Sequence, residues 1–126
     1  MDPALIARLA ADLTAADFTV DGLTELWGED AAAALHRGQR VPALRAGARR
    51  IASQSRDASA DEAVLRRFLL AKALVLGYPV DPAALDRALP TLTAAGAVAL
   101  GLVDATGSPL LDLRPYSVVD ARGVAA

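Results

Sequence analysis

Apolar residues recur along this chain at spacings of three and four, and proline, glycine and short polar runs divide them into segments of helical length. Asp2-Pro3 is an N-cap followed by proline at the first helical position, after which Leu5, Ile6, Leu9 and Leu13 share one face, predicting a helix to about Ala16. Asp21 is positioned to cap a second, short helix with Leu23, Leu26 and Trp27 on its apolar face and Gly28 as its stop. A third helix is expected from Glu29 to Arg37, ending at Gly38. Pro42 opens a fourth, whose buried stripe is read as Leu44, Ala48 and Ile51.

The pattern lapses over the polar stretch Ser53 to Ala60, the best linker candidate but too short to separate two domains. Ser59 and Glu62 have the spacing of a capping box ahead of Val64, Leu65, Phe68, Leu69 and Leu76, and Gly77 supplies the stop. Asp81-Pro82 repeats the cap-plus-proline signal for a short helix through Leu85 and Leu89 that Pro90 ends. Thr91 or Thr93 is read as the cap of a last helix, about Leu92 to Leu100. Leu102 and Val103, then Leu110, Leu111 and Leu113, flank the turn-rich Asp104 to Pro109, which reads as a hairpin. Helix, short helix, helix and hairpin is the order of a winged helix. The expected fold is mainly α with a small C-terminal β-hairpin. It forms one domain with a helical part at 1–58, a winged-helix-like part at 59–118 and a tail at 119–126.

Composition refines this picture. With 126 residues, 54% of them apolar and only 4% aromatic, the core must be built from Leu, Val and Ala rather than from rings. The absence of cysteine removes disulfides, thiolate nucleophiles and Cys-type zinc sites, and suits a reducing cytoplasm. The start of the chain has no basic n-region, and its longest apolar run, Phe68 to Leu76, is interrupted by Lys72, so a cytoplasmic chain is expected.

The net charge of −2 conceals a division. Seven acids face Arg8 alone between Met1 and His36, whereas eight arginines face three acids between Arg37 and Arg67. Arg45, Arg49 and Arg56 project close together if their helix persists, which makes them the candidate contacts to a phosphate or an acidic partner. The plainer alternative is a solvated face that balances the acidic first helices.

Catalytic chemistry finds few footholds. The sole histidine, His36, falls near a helix end, has no partner thiol, and reads as a structural or surface residue. Gly96, Gly101 and Gly107 stand alone, fit no phosphate-cradling pattern, and read as packing and turn residues. Asp104, Asp112 and Asp120 fall in or near the expected hairpin, where solvated acids are the default. The run Thr91 to Leu100 carries no base, which argues against sequence-specific DNA reading and favours packing on another domain. Trp27 reads as a core or interdomain anchor.

Four runs carry a resemblance: Asp17-Phe-Thr-Val-Asp-Gly-Leu-Thr-Glu-Leu-Trp-Gly28, Ala33-Ala-Leu-His-Arg37, Val80-Asp-Pro-Ala-Ala-Leu85, and Leu100-Gly-Leu-Val-Asp104 through Leu113-Arg-Pro-Tyr116. The chain resembles the N-terminal region of actinobacterial class I S-adenosylmethionine-dependent methyltransferases similar to the release-factor glutamine methyltransferases. In such enzymes this region precedes a Rossmann-like domain with a glycine-rich cofactor loop and an Asn-Pro-Pro-aromatic motif, and neither motif occurs here. The resemblance therefore implies a non-catalytic N-terminal module for substrate recognition or domain packing. No activity, catalytic residue or cofactor is expected in this chain, and S-adenosylmethionine is expected in a catalytic domain absent from it. The implied partners are that domain and a protein or RNA substrate, with no membrane. Two alternatives are a free-standing winged-helix nucleic-acid-binding protein that uses the arginine segment, and a dimerisation domain.

Overall fold

The computed structural model describes residues 3–52, 58–111 and 113. These contain six helices: α1 Pro3–Ala15, α2 Val20–His36, α3 Val41–Ala52, α4 Ala58–Leu74, α5 Pro82–Ala88 and α6 Thr93–Ala99. None is long and apolar enough to cross a membrane.

α4 is the centre of the fold and packs on α2, α3 and α5, while α2 packs on α3 and α5 on α6. Its Val64, Leu70, Ala71, Ala73 and Leu74 are buried, so its apolar surface wraps beyond one stripe, as a central helix requires. Leu70, Leu85, Leu89, Leu92 and Val103 are the most deeply buried large side chains. They belong to one core that also takes in Phe18, Leu23, Leu26 and Trp27, so the stretches before and after residue 58 fold around the same interior. That core is mostly Leu, Val and Ala, but four of the five aromatic residues, Phe18, Trp27, Phe68 and Tyr78, also sit in it or pack on it.

α1 lays Leu5, Leu9 and Leu13 on this core, but Ile6, expected on the same face, is exposed. The Asp2 cap, the polar stretch 53–57 and the Ser59 side chain of the expected capping box lie outside the described residues. α2 begins at Val20 and is capped by Thr19, whose Oγ1 accepts the Gly22 N–H at 2.9 Å, so Asp21, the expected cap, sits one residue inside the first turn. The helix breaks at Gly28, with φ 86° and ψ 163°. The second and third helices expected from sequence are thus the two segments of one element, divided at the glycine that tolerates this conformation.

α3 turns a different face inward from the one its pattern suggested. Ala43 and Gly47 are buried, Leu44 and Ile51 are half-buried, and Ala48 is exposed. The small residues let α3 approach α4 closely: a Cβ on Gly47 would lie 2.6 Å from Phe68 Cδ1. α5 starts at Pro82 after Asp81 as expected, although the Asp81 side chain makes no capping bond.

The expected β-hairpin, and with it the winged-helix-like part, is not formed. Among the described residues there is no strand, and residues 102–110 meet through a single antiparallel bridge between Val103 and Pro109. Two features stop a ladder. Leu102 N–H, which would pair with Leu110 O in a ladder, donates instead to Ala97 O at the end of α6, at 3.0 Å. The Asp104 carboxylate accepts the Thr106 and Ser108 N–H groups at 2.9 and 3.0 Å and the Thr106 hydroxyl at 2.6 Å, winding the segment into a side-chain-closed turn. The chain then leaves the bridge, and Leu113 N–H donates to Leu74 O at the end of α4.

Candidate partner-binding surface

Breaking α2 at Gly28 sets its second half against α3 and opens a groove of about 800 Å³ between them. Buried Trp27, Ala31 and Ala34 form its floor, and exposed Val41 and Pro42 with half-buried Ala46 form its accessible apolar lining. Glu29 and Asp30, just after the break, and Arg37, Arg45 and Arg49 supply its charges. The structure thus brings together two of the three arginines singled out from sequence, one turn apart on α3, and adds Arg37 from the end of α2. Arg56 lies outside the described residues.

The other described arginines of this segment, Arg40, Arg50, Arg66 and Arg67, are already engaged. Arg50 donates to the Glu25 carboxylate at 3.1 Å and to the Glu25 carbonyl at 3.3 Å, fastening α3 to the first half of α2. Arg40 donates to Leu76 O at 2.9 Å and lies 4.4 Å from the centre of the Tyr78 ring. Arg66 and Arg87 both pair with Glu62, at 3.3 and 2.7 Å, and these guanidiniums hold the Glu62 carboxyl below its usual range. By contrast, Arg37, Arg45 and Arg49 have no ion pair or side-chain hydrogen bond among the described residues, and all three are exposed.

A second concavity of about 440 Å³ shares none of these lining residues. It lies between Leu35, Arg40, the end of α4 at Leu74 to Leu76, and Pro109 to Leu111. At its edge Leu110 is 59% exposed and Leu111 43%.

His36 is exposed at the C-terminal end of α2. Asp104 is no freely solvated acid: the Thr106 hydroxyl, followed by the Ser108 and Thr106 N–H groups, lowers its pKa. Asp112 and Asp120 lie outside the described residues. Two buried polar groups escaped the sequence reading. Asp12, 3% exposed, accepts N–H groups from Thr91 and Leu92, joining α1 to the entry of α6. Arg67, also buried, donates to Ala16 O at 2.9 Å and Gly22 O at 3.1 Å and holds the α1–α2 connection on α4. Both residues fall on apolar stripes, Asp12 with Leu5 and Leu9 and Arg67 with Val64 and Ala71, and that misplacement is the signal that marks them.

Comparison with known families gives one match: residues 15–115 fit the model described as "Domain of unknown function (DUF7059)". No curated protein and no solved structure matches the chain.

Proposed function

The chain belongs to this DUF7059 family, whose description carries no activity, and we propose that it is a non-catalytic module that packs against, and helps present substrate to, a methyltransferase domain using S-adenosylmethionine. The methyltransferase part of this reading rests on the resemblance of the four runs quoted above. The packing part rests on one observation, the adjacent exposed leucines Leu110 and Leu111 at the rim of a concavity walled by Leu35, Leu74 and Leu76. Two neighbouring leucines left in water, beside a recess lined by more of them, form the sort of apolar surface that a second domain covers.

Each buried leucine is worth about 1.5–3 kcal/mol, which makes a carboxylate at this position costly to an apolar contact. Titration with the S-adenosylmethionine-binding domain of a release-factor-type methyltransferase should perturb the Leu110 and Leu111 methyl resonances. Leu110→Asp should weaken the association at least about tenfold. Calorimetry with S-adenosylmethionine alone should show no heat of binding. Micromolar binding of the cofactor to this chain, or an association indifferent to Leu110→Asp, would overturn the reading.

A further inference from the structure

The groove between α2 and α3 holds three exposed guanidiniums with no ion pair or side-chain hydrogen bond among the described residues, next to an apolar lining. We propose that this groove binds a peptide segment bearing carboxylates and an apolar side chain, with Arg37, Arg45 and Arg49 taking the carboxylates and Val41, Pro42 and Ala46, the accessible apolar part of the lining, taking the apolar group. The inference does not depend on what covers Leu110 and Leu111, because the two concavities share no lining residue.

Four observations select this occupant. Arg45 and Arg49 stand one helical turn apart, so they face the same side of α3 and match carboxylates a few ångströms apart on one peptide. Glu29 and Asp30 also line the groove. They oppose a continuous polyanion such as a nucleic-acid backbone, whereas a peptide carries its charges at separate points and steers them away from acids. Trp27 is 7% exposed, so its ring face is largely covered and offers no platform on which a base stacks. Finally, a volume of about 800 Å³ accommodates several side chains and is far larger than a single phosphate needs.

Trp27 is the only tryptophan of the chain and lines the groove, so its emission reports on occupancy. The probes are a short peptide of alternating glutamate and leucine, the same peptide with glutamine for glutamate, a single-stranded RNA and inorganic pyrophosphate. They are titrated into the full chain, with backbone amide shifts across residues 41–49 as a second readout. The acidic peptide should bind saturably. Affinity should fall by about tenfold for the glutamine peptide, and by a similar factor for the double variant Arg45→Gln, Arg49→Gln, with a further fall as salt is raised. Arg8→Gln, on α1 outside the groove, should leave binding unchanged. All the substituted arginines are exposed, so folding, checked by circular dichroism, should be preserved. The proposal is overturned by no saturable change in either readout, by equal binding of the glutamine peptide, by indifference to the double variant, or by tighter binding of RNA or pyrophosphate.

Discussion

Removing the Asp12 carboxylate tests whether α1 and the entry of α6 are held together by hydrogen bonds rather than by apolar packing alone. Asp12 Oδ2 accepts the Leu92 N–H at 2.7 Å, and both carboxylate oxygens lie 3.1 Å from the Thr91 nitrogen. In Asp12→Ala both donors lose their acceptor. Thr91 is exposed, so water replaces the carboxylate at little cost, but Leu92 is 2% exposed and its N–H is stranded. An unsatisfied buried donor costs about 1–3 kcal/mol, and a hydrogen bond to a carboxylate is worth about 1.5–3 kcal/mol, so a loss near 3 kcal/mol is expected. Against a typical total of about 5–15 kcal/mol this is a large fraction, and it corresponds to a fall in Tm of about 10 °C for a chain of this size. Asp12→Asn keeps one acceptor oxygen for Leu92 and should lose only about 1 kcal/mol. Urea unfolding followed by helical circular dichroism measures both, and hydrogen exchange at the Leu92 amide should quicken in the alanine variant. The reasoning is refuted if Asp12→Ala lies within about 0.5 kcal/mol of the parent, or if Asn is as damaging as Ala.

The other predictions concern local contacts. Gly47→Ala, which in an open helix gains up to about 1 kcal/mol, should instead destabilise by about 1–2 kcal/mol because the new Cβ meets the Phe68 ring at 2.6 Å, and Phe68→Leu in the same chain should recover part of the loss in urea midpoint. Thr19→Ala should cost about 1 kcal/mol through loss of the α2 cap while Asp21→Ala stays within about 0.5 kcal/mol, a ranking read from thermal melts. Glu62 has a folded-state pKa below its ordinary 4.5 because of Arg87 and Arg66. Its contribution is therefore fully present above pH 4.5 and is lost as pH falls through the lowered value, so the stability gap between the parent and Glu62→Gln should be constant at neutral pH and shrink in acid. A gap that widens on acidification would contradict that assignment.

Local punctuation made most of the helices legible. Proline at positions 3, 42 and 82 and glycine at 28, 38 and 77 mark starts and stops that the structure keeps to within a residue or two. The misreadings share a physical cause, competition between groups that sequence order does not rank. Thr19 and Asp21 both satisfy the rules for a cap, and only the geometry of the incoming chain selects Thr19. Leu102, Val103, Leu110 and Leu111 have the composition of paired strands, yet the Leu102 N–H goes to Ala97 O at the end of α6 and the Ser108 N–H to the Asp104 carboxylate. The start of α6 was assigned to a threonine cap. Thr93 Oγ1 does accept the Gly96 N–H, at 3.4 Å, but the approach to α6 is also held by Asp12, eighty residues earlier in the chain, and by the Asp86 side chain on the Ala94 N–H, and no local pattern encodes the longer link.

The candidate site was legible as charge but not as place, and folding supplies the difference. The segment from Arg37 to Arg67 carries a surplus of arginine that looks in sequence like one basic patch. In the fold that surplus is dispersed: Arg50 goes to Glu25, Arg66 to Glu62, Arg40 to Tyr78 and the Leu76 carbonyl, and Arg67 to carbonyls in the core. Arg50, Arg40 and Arg67 each fasten two parts of the chain, whereas Arg66 pairs within α4. What remains among the described residues is Arg37, Arg45 and Arg49, and these converge on one groove because α3 turns Ala43 and Gly47 toward the core and α2 breaks at Gly28. Here Glu29 and Asp30 line the same groove without forming an ion pair to any of the three guanidiniums among the described residues, so a solvated face and a bound acidic segment make opposite predictions for the peptide titration, and that experiment decides between them.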